Sequence, residues 1–287
     1  MKIKDVTNYL ESIAPLAYQE SYDNSGLIVG DKETIVKGIL VSLDSTEDII
    51  DEAIEKGCNL VVAHHPIVFG GLKKITGKNY VERTVIKAIK NDIAIYAIHT
   101  NLDNYRYGVN KKIGDLLGIE NPQILAPVSG KLNKLSVYVP TDALDKVREA
   151  LFSAGAGNIG DYDECSFTSE GTGTYKGNDN SDPVYGEKNV RSFEAEGKLE
   201  VIVSSHNAGK AVIALIEAHP YEEVAYDLFP LLNENPYEGA GMIGQLAEEM
   251  SETDFLKMLK ETFNVGCIKH TKLSGKPIKT VAWCGGS

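Results

Sequence analysis

The feature that most constrains this chain is the run Leu60-Val61-Val62-Ala63, which stops abruptly in His64-His65-Pro66. An unbroken apolar run of strand length reads as a strand buried on both faces, as in a parallel sheet. Pro66 cannot donate to a ladder, so the two histidines sit where strand gives way to loop. In open α/β sheets, that carboxyl edge is where ligands bind. A second run, Ile93 to Ile98, ends in the same way in His99-Thr100-Asn101-Leu102-Asp103. Two strands thus bring three histidines and a carboxylate to what reads as one rim, a metal-site composition.

The surrounding pattern supports an α/β layer. Helical spacing is expected from Asp5 to Ile13, and a turn at Tyr22–Gly26 leads into a strand at Leu27–Val29. Gly38 to Leu43 reads as a buried strand and Glu47 to Lys56 as a helix closed by Gly57. Further helices are expected around Val81–Lys90 and Val109–Leu117. Alternation of this kind implies βαβ units on a parallel sheet, with right-handed crossovers placing every strand's carboxyl end on one side.

After Pro127 the rhythm changes. A strand at Lys134–Val139, a helix at Asp142–Phe152, and a Gly/Ser/Thr/Asn-rich region with short strand pieces such as Cys165–Phe167 come first. A strand at Lys198–Ser204, a helix at Ala208–Ala218 and a strand at Val224–Leu228 follow. The order β-α-β-β-α-β is that of a ferredoxin-like α+β domain. The expected organisation is therefore an α/β domain of residues 1–127 and 237–287, interrupted by an inserted domain of residues 128–236. In the returning segment, a helix from Ser251 to Phe263 opens with a capping box, and strands are expected at Cys267–Lys272 and Ile278–Cys284.

Composition narrows the function classes. With 29 Lys and Arg against 41 Asp and Glu, the formal net charge of −12 disfavours nonspecific binding to nucleic acid or anionic membranes. No stretch approaches the roughly 18 apolar residues of a membrane span, and the charged start does not read as a signal peptide. The expected location is the cytoplasm. The four cysteines are scattered with no C-x-x-C pair, which argues against a thiolate zinc site.

Imidazole with carboxylate and no thiolate suits a divalent ion such as zinc, with iron or manganese as alternatives, over copper(I) or calcium. His64 and His65 are adjacent, so in an extended segment their side chains point to opposite sides, each serving a different ion. Core or capping histidines are the competing explanation. His99 reads either as a ligand or, preferably, as the partner that fixes a ligand's orientation. Asp44, at a third strand end, is expected to cap the helix starting near Glu47 rather than bind metal, with holding a ligand in orientation as its other possible role. Gly155-x-Gly157-x-x-Gly160 matches a dinucleotide fingerprint by letter only, since a helix precedes it and strands follow. His219-Pro-Tyr-Glu222-Glu223 reads as a structural turn or oligomer contact in preference to a weak metal site.

The segments YDNSGLIVG, SLDST, VVAHHPIVF and AIHTNLDN, then GAGNIGDYDECSF, GTGTY and AHPYEEVAYDLFPL, resemble the NGG1-interacting-factor-three family. Its members are also called GTP cyclohydrolase 1 type 2 homologues. The resemblance implies a site for up to two metals, with His64, His65 and Asp103 matching three ligands. It also implies an insert similar to CutA and PII-type trimeric folds, and self-association into a toroidal hexamer. The implied activity is metal-dependent hydrolysis of a nucleotide-like small molecule. The alternative is a non-enzymatic, metal-responsive oligomer whose insert binds an effector or protein partner. Family members continue past the strand ending CGGS into a segment with an H-x-x-x-E pair of ligands, which the sequence through Ser287 does not contain. His206, His219 and His270 match no family motif. The expectations that follow are at most one weakly held ion, weak or absent catalysis, and self-association through an exposed apolar strand near Val281–Cys284.

Overall fold

The structure is a computed structural model that describes residues 1–286. It is an α/β fold with mixed sheets, and the chain divides into two compact units. One comprises Met1–Ala126 with Tyr237–Ser287, the other Pro127–Pro236. Ser287, the last residue of the expected discontinuous α/β domain, lies outside the described residues.

In the first unit, helix α1 (Ile3–Ile13) is followed by strands β1 (Gly26–Val29) and β2 (Ile39–Ser42). Helix α2 (Glu47–Glu55), strand β3 (Leu60–Ala63), helix α3 (Tyr80–Lys90) and strand β4 (Ala94–Ala97) come next. The sheet order is β1-β4-β3-β2. Strands β3 and β4 are buried at every position, as their apolar runs require. They pair in parallel with each other, and β3 pairs in parallel with β2, so Ser42, Ala63 and Ala97 end level. The core on one side of this sheet gathers Ile50, Ala53, Val85 and Ala88 from the crossover helices against Val61, Ala63 and Ile95. On the other side, Ile3 of α1 packs with Leu60, Val62 and Tyr96.

The expected all-parallel sheet needs one correction. β1 runs antiparallel to β4, pairing Gly26 with Ala97 and Leu27 with Tyr96. Reached by a loop rather than a helical crossover, it caps the sheet edge in the direction that such an edge strand readily takes. Its beginning therefore lies at the end of β4.

The unit continues through the short helix α4 (Thr100–Asp103) and helix α5 (Val109–Leu116) to strand β5 (Glu120–Ser129).

The second unit begins with strand β6 (Leu132–Pro140), helix α6 (Leu144–Ser153), and strands β7 (Ser166–Tyr175) and β8 (Ser192–Ser204). Helix α7 (Ala208–Ala218) and strand β9 (Tyr226–Leu231) complete it. Its sheet is wholly antiparallel, in the order β7-β8-β6-β9. Leu135, Val137, Leu199, Val201 and Val203 turn one face onto α6 and α7, where Val147, Leu151, Ala211 and Leu215 fill the core. The Gly/Ser/Thr-rich stretch, expected only as short strand pieces, forms all ten residues of β7 and pairs from Ser166↔Val201 to Tyr175↔Ser192. Gly155 and Gly157 adopt φ of +89° and +84° in the turn between α6 and β7, so the dinucleotide-like letters are turn glycines.

Strand β10 (Glu234–Met250), helix α8 (Glu252–Thr262) and strand β11 (Ile278–Trp283) close the fold, with a sheet in the order β11-β10-β5. Ser251 caps α8 by accepting from the Asp254 amide at 3.1 Å. Two expectations fail here. Cys267–Lys272 is irregular rather than a strand, because its residues are mostly solvent-exposed and pair with no neighbour. Val281 is buried among Leu117, Ile119 and Leu246, and Trp283 Nε1 donates to the Asn110 carbonyl, so the last strand does not present an uncovered apolar surface. Among the described residues, no helix is long and apolar enough to cross a membrane.

Candidate metal centre

The site grows out of the level ends of β2, β3 and β4. Beyond Ala63 the chain bends, while the His64 and His65 amides still donate to the carbonyls of Ser42 and Leu43 at 3.1 and 2.9 Å. This bend overturns the opposite-sides expectation, since alternation of side chains holds only while the backbone stays extended. The two rings lie with centroids 5.0 Å apart, and both face His99, at 5.2 Å from His64 and 5.5 Å from His65. One potential ligand atom from each of the three imidazoles falls within 4.8 Å of the others.

His99 ends the β4 connection and precedes α4, a helix too short to be stable on its own. Asparagines anchor that helix. Asn101 Nδ2 donates to the Ala14 carbonyl at 2.7 Å, Asn104 Nδ2 to the Tyr18 carbonyl at 3.0 Å, and Asn110 Nδ2 to the Asp103 carbonyl at 2.9 Å. The last residue of α4, Asp103, is thereby held beside His64, with Oδ1 3.8 Å from Nε2.

The hydrogen bonds of the rings decide what they present to the shared space. His64 Nδ1 donates to the Ile98 carbonyl, His65 Nδ1 to Asp44 Oδ1 and His99 Nδ1 to Asp23 Oδ1, each at 2.8 Å. A carbonyl or an ionised carboxylate can only accept, so each Nδ1 carries the proton. Nε2 is then the nitrogen each ring has left to offer a ligand. Metal-binding histidines are generally oriented by this kind of partner on the other nitrogen. Of the two roles expected for Asp44, it takes the one of holding His65 and does not cap α2. The cap is Thr46, whose side chain accepts from the Ile49 amide at 3.4 Å.

Asp23 went unrecognised in the sequence. It lies just ahead of β1, and the antiparallel pairing of β1 with β4 carries it to His99. Its side chain has no exposed surface. Burial alone would push this carboxyl up. Donation from His99, the Thr100 hydroxyl, the Asn24 amide and the Ser25 hydroxyl overcomes that and holds it at about 2. The clue in the sequence is Tyr22-Asp-Asn-Ser-Gly26, whose turn chemistry and place in a family-like segment assign no role to Asp23.

Asp103 moves the opposite way. Burial pushes its carboxyl up, against the pull of His64, His99 and His65. Its Oδ1 is buried and accepts no hydrogen bond. A buried, unpaired carboxylate oxygen costs on the order of several kcal/mol, which a cation at this point would offset. The donor set of three imidazole nitrogens and an orphaned carboxylate oxygen fits a divalent ion of the zinc, iron or manganese kind. His219 and His270 stay outside the site, with His270 Nδ1 donating to the adjacent Thr271 carbonyl.

The chain is 42% identical over 282 residues to the "GTP cyclohydrolase 1 type 2 homolog" of Halalkalibacterium halodurans, covering 98% of this chain and 76% of that protein. To the Bacillus subtilis protein of the same description it is 39% identical over 285 residues, covering 99% and 76%. The crystal structure of a Bacillus cereus protein related to NIF3 superposes with a TM-score of 0.85 at 38% identity, covering all of this chain and 77% of that one. A Staphylococcus aureus structure gives a TM-score of 0.73 at 29% identity, covering 100% and 76%. The profile of the Duf34/NIF3 (NGG1p interacting factor 3) family matches residues 1–287, and the chain belongs to that family.

Proposed function

We propose that the rim binds a divalent metal, zinc first with iron or manganese as alternatives, and up to two ions in a complete site. Its ligands are Nε2 of His64, His65 and His99 and the carboxylate of Asp103. The observation that carries this reading is the engagement of all three Nδ1 atoms at 2.8 Å, which leaves Nε2 as the spare nitrogen of each ring in a group whose potential ligand atoms lie within 4.8 Å of one another. Asp23, Asp44 and the Ile98 carbonyl fix the rings, and Asp103 brings negative charge to the inner side of the group.

The activity proposed is hydrolysis of a nucleotide-like small molecule, in keeping with the description carried by the relatives. When bound, such an ion supplies Lewis acidity and activates water near neutral pH. The protein's own part is orientation: His65, about half exposed, stands at the mouth, while the buried His99–Asp23–Thr100 network forms the rigid inner wall. The antiparallel sheet of the second unit, in the chain order strand-helix-strand-strand-helix-strand, supports reading that unit as a ferredoxin-like insert that promotes self-association into a ring.

The test is purified protein supplied with zinc or manganese, offered GTP and followed for formate and a fluorescent pterin. Turnover that disappears in His64→Ala is the expected result. No turnover above that control with any of these metals would defeat the hydrolase reading. Monomeric behaviour in light scattering would defeat the ring.

A further inference from the structure

The second unit contains a cavity of about 950 Å³ that the metal chemistry does not use. It lies on the face of the antiparallel sheet that carries no helix. Along β8, Leu199, Val201 and Val203 turn toward α6 and α7, so the alternate residues Glu196 and Lys198 turn the other way, into the cavity. Tyr175 and Tyr221 line it together with Glu196, Lys198 and polar residues such as Thr174 and Asn178.

Glu196 is only 7% exposed. Its Oε1 accepts from the Tyr221 hydroxyl at 2.8 Å, while Oε2 has no hydrogen bond among the described residues. Gly173 makes room for it, since a Cβ there would stand 2.0 Å from Oε2. The nearby ammonium of Lys198 is committed to Glu200 at 3.1 Å. Above the carboxylate, the Tyr221 ring meets Tyr175 at 5.7 Å and Tyr185 at 6.1 Å, both edge to face. The Tyr175 hydroxyl donates to the Tyr185 carbonyl at 3.0 Å, tying the aromatic wall together. Burial and the adjacent Glu196 push the Tyr221 phenol up, so it remains a donor.

We propose that this cavity is a binding site for a small organic cation, an ammonium- or guanidinium-bearing molecule whose charge meets Glu196 Oε2 beside the aromatic wall of Tyr175 and Tyr221. A buried carboxylate with an open oxygen calls for a cation, and tyrosine faces attract one through their quadrupoles. A metal ion is the poorer match. Among the described residues, the group of three or more His, Cys, Asp or Glu side chains within common ligating reach is the histidine rim, not this cavity. Lys176 and Lys198 also line the cavity, but four carboxylates, Glu170, Glu196, Glu222 and Glu223, outnumber them and disfavour an anion. The size suits a ligand with a substantial stem, for which the Ser, Thr and Asn rim provides hydrogen-bonding partners. The site stands independently of the metal reading.

Saturation-transfer NMR on the full chain tests it with agmatine, with choline, and with 3,3-dimethyl-1-butanol, the neutral isostere of choline. At least one of the two cations should bind. The isostere should bind about tenfold more weakly than choline or not at all, because it lacks the charge that recognises Glu196. Glu196→Gln and Tyr175→Leu should each weaken the bound cation by about tenfold with the circular-dichroism spectrum unchanged. The comparison of charged and neutral probes on the unaltered chain serves if either variant fails to fold. Three results would overturn the proposal: no binding of either cation, equal binding of choline and its isostere, or displacement of the bound cation by inorganic phosphate.

Discussion

Histidines occur in two contrasting settings in this molecule. In the first unit, His64, His65 and His99 each spend one ring nitrogen on an oxygen acceptor and leave the other facing a common space. In the second unit, His219 spends both. Its Nε2 donates to the Tyr138 carbonyl at 3.0 Å and its Nδ1 accepts from the Tyr221 amide at 3.1 Å. Burial pushes His219 down, which keeps the ring neutral and suited to this pair of bonds. A ring with both nitrogens satisfied is a structural brace, and three rings that each keep a nitrogen spare in one place are a candidate ligand set. Burial alone does not separate the two cases, since His219 is more buried than any ring at the rim.

The largest expected effect tests the rim directly. His64→Ala should weaken retention of zinc by roughly a hundredfold or more, read by elemental analysis after dialysis against a mild chelator. Retention equal to the parent chain would erase the contrast with His219. Asp23→Asn comes next, because it keeps the shape but weakens the hold on His99. A loss of about tenfold to a hundredfold in zinc affinity is expected.

Asp23 also makes a prediction about acid. Its folded value of about 2 lies below the ordinary 3.8, so its ionised form favours the fold. That stability is fully present above about pH 4 and disappears as pH falls through 2. Thermal unfolding of the metal-free protein between pH 5 and pH 2 should show this decline, and Asp23→Asn should flatten it. A variant that loses stability with acid as steeply as the parent would remove Asp23 from the explanation.

His219→Ala should have the opposite profile to the rim variants: unchanged zinc retention, and a loss of about 1–3 kcal/mol in stability from the unpaired Tyr138 carbonyl and Tyr221 amide. Altered zinc affinity in a variant that is still folded would break the comparison.

The smallest effects separate two neighbouring residues. Thr46→Ala should cost about 1 kcal/mol by uncapping α2, with zinc binding intact. Asp44→Asn should leave helix stability alone and loosen zinc modestly through His65, which is solvent-screened here. Chemical denaturation and zinc titration on the two variants distinguish these outcomes.

Much of this was legible in the residues. Leu60–Ala63 and Ala94–Ala97 read as fully buried strands because continuous apolar runs have few other places to go, and both are buried throughout. The site was less legible wherever it depended on direction. An all-parallel reading places the start of β1 away from the histidines, whereas antiparallel pairing with β4 brings Asp23 to His99. β7 was hidden because Ser166–Tyr175 carries no apolar alternation and is held by its ladder with β8. Cys267–Lys272 failed for the converse reason, having suitable residues but no partner strand.

The sequence by itself determined where the buried strands run and that three histidines follow two of them, because burial and strand ends are written in local periodicity and in Pro66. Only the tertiary structure decided which nitrogen of each ring is spare. The acceptors that settle it, Ile98, Asp44 and Asp23, lie 34, 21 and 76 residues away from their histidines. Hydrogen bonds across such distances depend on strand order, direction and register, which no local pattern encodes.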